Sequence, residues 1–171
     1  TMTYFAFTYL SLGYFISGLF ATVVSVFIFL KKRNDPVIMV FSLSCFLGAI
    51  ACFVTAIMVC TVKVDLWRLL TYLYYTTELA AITLMFHFAR LHRRKQKIME
   101  NKKVFLTYIL PLLFTLAIIL QPSLINPDIE NKEEHLYDPI IPATGGGIIG
   151  NFFQLYLFFL IIATFVEFIR M

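Results

Sequence analysis

The stretch LWRLLTYLYYTTELAAITLMFHFARL, residues 66–91, decides the fold. A helix needs about 20 apolar residues to cross a hydrocarbon core roughly 30 Å thick, and this run is 26 residues long. One carboxylate, Glu78, sits near its middle, and His87 lies near its end. The residues that follow are as telling. Positions 90–103 hold Arg90, Arg93, Arg94, Lys95, Lys97, Lys102 and Lys103, half of the chain's 14 cations. An apolar run that ends in such a block reads as a membrane span meeting a basic loop at one membrane face.

Four more apolar runs flank it, at residues 4–30, 37–60, 104–120 and 148–169. The chain is 60% hydrophobic and only 14% charged, with a mean hydropathy of +0.84. A soluble domain carries about a quarter charged residues, and it could not hide five such runs. The expected fold is therefore all-α: a polytopic transmembrane helix bundle of five spans in a single domain over residues 1–171. A basic inner loop at 92–103 and an acidic outer loop at 121–147 complete it. The latter holds Asp128, Glu130, Glu133, Glu134 and Asp138 against Lys132, with four prolines. The chain opens on Thr1 ahead of Met2 and stops just past an apolar run, so we expect a longer parent chain.

Charge sets the orientation. With the N-terminus outside, eleven cations lie on inner segments and three (Lys63, Arg68 and Lys132) on outer ones. The positive-inside rule selects that arrangement, N-out and C-in. The net charge of +4 needs no nucleic acid to explain it. Its expected partners are anionic lipid headgroups at the inner face, each nearby cation contributing about 1 kcal/mol. Other membrane helices, in a homo-oligomer or a hetero-complex, are the second expected partner.

Local signals refine the spans. Asn34 or Asp35 is placed to cap the second helix, with Pro36 in its first turn. Ser42, Ser44, Gly48, Ala49, Ala51, Thr55 and Ala56 make that helix rich in small residues, so it is expected to be the most buried. Pro111 falls inside the fourth span, which a membrane helix tolerates.

Glu78 is the strongest functional candidate. A carboxylate at mid-bilayer costs about 2.5–3.5 kcal/mol on insertion scales, and such residues face a bundle interior, a partner or a ligand. Tyr74 and Ile82, four residues away, share its face, and Tyr75 and Ala81 are three away. His87, nine residues on, points to the opposite side and is assigned to the inner interface with His92. Asn151 and Gln154, three apart in the fifth span, are polar groups at membrane depth. The candidate ligand site is thus Glu78, Tyr74, Tyr75, Asn151 and Gln154.

Other patterns carry less. Cys45, Cys52 and Cys60 read as small packing residues. Gly145-x-Gly147-x-x-Gly150 matches a dinucleotide fingerprint in letters only, since a proline-rich loop stands where a strand is required. Glu133, Glu134, His135 and Asp138 read as a solvated loop rather than a cation site. The sequence presents no metal site, no cofactor motif and no nucleophile–base set, which argues against an enzyme.

Several features together form a wider resemblance. They are the turn Lys31-Lys32-Arg33-Asn34-Asp35-Pro36, the small-residue helix after it, and the entry from Trp67 to Tyr74. The run Leu84-Met85-Phe86-His87-Phe88-Ala89 before the basic loop follows. Pro111, Asn126-Pro127 and Gly150-Asn151-Phe152-Phe153-Gln154-Leu155-Tyr156 complete the set. Over residues 30–159 the chain resembles the N-terminal membrane sensor region, usually seven helices, of bacterial histidine kinases and related signalling proteins. The resemblance implies a sensor in the bacterial inner membrane that passes a ligand or membrane signal through its helices. Five spans and Glu78, where proline is usual, depart from that pattern. The alternatives are a non-catalytic accessory subunit of a membrane complex and, third, a proton-linked transporter fragment.

Overall fold

The computed structural model describes residues 9–32, 34–61, 64–94, 102–120 and 148–170. Five α-helices account for nearly all of them: α1 (Tyr9–Lys32), α2 (Pro36–Cys60), α3 (Val64–Arg94), α4 (Lys102–Leu120) and α5 (Ile148–Ile169). Four contain windows long and apolar enough to cross a membrane, and the apolar part of α4, Thr107–Leu120, is shorter. The chain is an all-α, integral membrane protein on that basis. The acidic segment 121–147 and the loop positions Lys95 and Lys97 lie outside the described residues.

The helix boundaries follow local chemistry. Asp35 caps α2, its carboxylate accepting from the backbone N–H of Val37 at 2.9 Å, and Pro36 occupies the first turn. α3 runs three residues past the expected end, so Arg93 and Arg94 belong to the helix rather than to a loop starting at 92. Arginine is a good helix former, and neither glycine nor proline interrupts there. α4 continues through Pro111.

The helices alternate in direction. Phe41 meets Phe88, with ring centroids 4.7 Å apart, while Met58 near the other end of α2 meets Thr71. α3 and α5 run parallel, because Tyr75 packs on Phe153 and Phe88 on Phe168. α4 runs against α3 and joins it through His87 and Tyr108. Lys31, Lys32, Arg90, Lys102 and Arg170 therefore gather at one end of the bundle, called the basic end below.

α3 is the hub. It packs against α2, α4 and α5, whereas α1 packs on α2. It is also the most buried helix: 39% of its apolar window is buried, against 28% in α2. This corrects the expectation that α2 would hold that place. Small residues let α2 approach two neighbours closely, but the aromatic and threonine side chains of α3 fill the space between three. Trp67, Leu70, Tyr75 and Leu79 of α3 join Val54, Met58, Ile118 and Phe153 in one core, at the end opposite the basic one.

Hydroxyls stitch the tightest contacts. Ser25 donates to the Ser42 carbonyl at 2.8 Å and Ser42 donates back to the Ser25 carbonyl at 2.9 Å, tying α1 to α2. Ser44 donates to the Ala81 carbonyl at 2.7 Å, tying α2 to α3. Such bonds contribute about 0.6 kcal/mol each on average in a bilayer. A Cβ at Gly18 would lie 2.9 Å from the Phe53 ring, so only glycine permits this approach of α1 to α2.

Candidate functional site

Glu78 lies midway along α3, partly buried. The Tyr74 hydroxyl, one turn back on the same helix, lies close enough to its carboxyl to interact with it. Tyr14 of α1 and Tyr75 lie within electrostatic reach of Tyr74. Tyr75 itself is 1% exposed, and its ring packs on Tyr74 at 5.5 Å and edge-on to Phe153 at 5.7 Å. The two tyrosines therefore differ in role: Tyr74 serves the carboxyl, and Tyr75 fills the core between α3 and α5.

The fifth-helix polar groups stand apart from this cluster. Asn151 is exposed and Gln154 half-buried, and with Leu155 and Phe158 they line a surface depression on α5. Phe153 is the residue that faces α3, and Asn151, two positions earlier, points about 160° away from it. The structure thus brings Glu78, Tyr74 and Tyr75 together. It sets Asn151 and Gln154 on a separate patch whose lining does not include Glu78.

A different space begins one turn from Glu78 toward the basic end. Ile82 and Met85, about 40° and 20° from Glu78 around the helix, line a groove between α2, α3 and α5. Its volume is about 360 Å³, and its walls are apolar, with Phe41, Ile161, Phe165 and Phe168 closing it toward the basic end. Thr164 lines it too, but its hydroxyl bonds the Leu160 carbonyl at 2.7 Å. On α2, a Cβ at Gly48 would meet nothing within 4 Å.

His87 is another buried polar residue of α3. It is 6% exposed, and its Nδ1 hydrogen-bonds the Tyr108 hydroxyl of α4. Arg90, one turn on, lies close enough to His87 to act on it electrostatically. Among the described residues, neither His87 Nε2 nor Arg90 Nε has a hydrogen-bond partner, and both are buried. His92 is exposed and its ring packs on Phe88 at 5.6 Å. Sequence reasoning tested His87 only against its own helix and so missed Tyr108. The available signal was a phenol near the start of the next apolar helix. Arg93, Arg94, Lys102 and Lys103 fall within helices at the basic end.

No family model, curated protein or solved structure matches the chain.

Proposed function

We propose that the chain is a sensory, receptor-like membrane domain, in which α3 passes an external or intramembrane signal to a partner or effector at the basic end. One observation carries this reading. α3 touches α2, α4 and α5, and it holds both the Glu78–Tyr74 pair and, further toward the basic end, the His87–Tyr108 contact. A ligand that binds one packing of these helices better than another shifts the population, and a helix shared by three neighbours transmits the shift. The alternation of the helices also supports an N-out orientation, since it collects the cations on one face, taken as the cytoplasmic side of a bacterial inner membrane. The reading involves no catalysis by this chain. Glu78→Gln tests it in the full protein in its own membrane. The response, or its pH dependence, is expected to change while the amount of folded protein does not. An unchanged response with normal assembly overturns the reading.

A second reading, an accessory subunit of a membrane complex, is favoured by the patch on α5. Asn151 is an amide exposed among Phe152, Leu155 and Phe158, each more than 60% exposed. A polar group at such a place is better satisfied by a partner helix than by lipid. Asn151→Leu then costs co-purification of a partner, whereas a sensor working through Glu78 keeps its response.

A further inference from the structure

We propose that the cleft between α2 and α5 is a binding site for a single-chain amphiphile that enters sideways from the bilayer. Its hydrogen-bond-donating head group would sit at Glu78 and its hydrocarbon arm in the groove below. The inference rests on the sensory reading only for what binding would do; the site itself rests on three observations.

The first is alignment. Tyr74, Glu78, Ile82 and Met85 fall on one face of α3, at steps of four, four and three residues. Glu78 stands about 10 Å above Met85 along the helix axis. A polar end and an apolar channel thus lie in line, with the carboxyl nearer mid-membrane and the channel running toward the basic end.

The second is space. The groove holds about 360 Å³, within the range of small-molecule pockets. Gly48, seven residues from the groove residue Phe41 and on the same face of α2, has nothing within 4 Å of where a Cβ would stand. By contrast, Gly18 on the α1 side of α2 has the Phe53 ring within 2.9 Å of where a Cβ would stand.

The third is chemistry. Glu78 is only partly buried and stands on the face of α3 that lines the groove, so a carboxyl acceptor lies in line with it. An acceptor in an apolar setting selects a donor, a hydroxyl or an amine. A carboxylate head, itself only an acceptor, has no donor to offer it. The groove walls offer a hydrocarbon arm only apolar contacts, since Thr164 turns its hydroxyl back to its own helix.

The test uses the full chain in liposomes and two photoactivatable probes of equal length, a long-chain alcohol and the matching fatty acid, with a diazirine on the arm. Labelled residues are mapped by mass spectrometry. The alcohol is expected to label residues 82–85 and 161–168 about tenfold more than the acid does, the discrimination a hydrogen bond to a charged group provides. Ile161→Trp, which fills the groove, abolishes that labelling. Met85→Trp fills it from the opposite wall and serves where Ile161→Trp does not fold. Glu78→Leu removes the preference for alcohol over acid. Equal labelling by both probes overturns the inference, as does alcohol labelling spread equally over the exposed α1 residues Phe20 and Phe27. So does a dimer of the chain, lost on Ile161→Trp, in place of labelling. Failure of the sensory reading is distinguishable: the labelling pattern stands while Glu78→Gln leaves the response unchanged.

Discussion

Two of the polar side chains of α3, His87 and Glu78, are treated in opposite ways. His87 is bonded across a helix interface to Tyr108 and is buried. Glu78 interacts within its own helix with Tyr74 and remains partly exposed. A cross-helix bond in a bilayer holds two elements together, because separating them strands both partners without water. An intrahelical bond holds nothing together. It satisfies part of a carboxyl and leaves the rest available. The difference separates a group used for architecture from the one that the proposed reading uses for recognition, although both looked alike as polar residues in an apolar run.

Substitutions can break or sharpen that contrast. The largest effect is expected at His87→Leu, which leaves the Tyr108 hydroxyl unpaired between α3 and α4. Its cost is about 2 kcal/mol, read as a loss of stability in detergent-mixture unfolding. A variant as stable as the native chain contradicts the architectural role.

The next effect compares two glycines of the bundle. Gly18→Ala pushes a methyl group into the Phe53 ring and is expected to cost about 1 kcal/mol by overpacking. Gly48→Ala meets open space and gains helix propensity, so it is neutral or stabilising by up to about 1 kcal/mol. Paired unfolding curves check this, and equal shifts for both erase the distinction between a closed flank and an open one.

The smallest stability effect belongs to Glu78→Gln. The amide oxygen still accepts from Tyr74, so stability falls by no more than about 0.5 kcal/mol, well below the His87→Leu loss. A larger loss, measured in the same assay, makes Glu78 a structural residue.

The fold was legible where one dimension suffices. Five runs of apolar residues, the Asp35-Pro36 helix start and the asymmetry of the cations are properties of the chain alone, and the helices fall close to the spans they define. The end of α3 was misjudged by three residues because Arg93 and Arg94 serve equally well in a helix or a loop. The site was only half legible. Glu78 with Tyr74 follows from helical spacing. The partner of His87 does not, because Tyr108 reaches it across a loop, and no spacing rule spans that distance. Asn151 and Gln154 were grouped with Glu78 by polarity, but which way α5 turns is set by Phe153 packing on Tyr75. The groove was invisible for a related reason: it is made of ordinary apolar residues on three helices and exists only in their spacing.

Reaction of Glu78 with carbodiimides tests the central claim most directly, that this carboxyl is reachable from the bilayer through the cleft between α2 and α5. In liposomes at mildly acidic pH, a lipid-soluble carbodiimide is expected to form an acylurea adduct at Glu78, a water-soluble one is not, and Gly48→Leu, which fills the open side of the cleft, is expected to suppress the adduct. No adduct at Glu78 with the lipid-soluble reagent, or an adduct untouched by Gly48→Leu, would contradict the account.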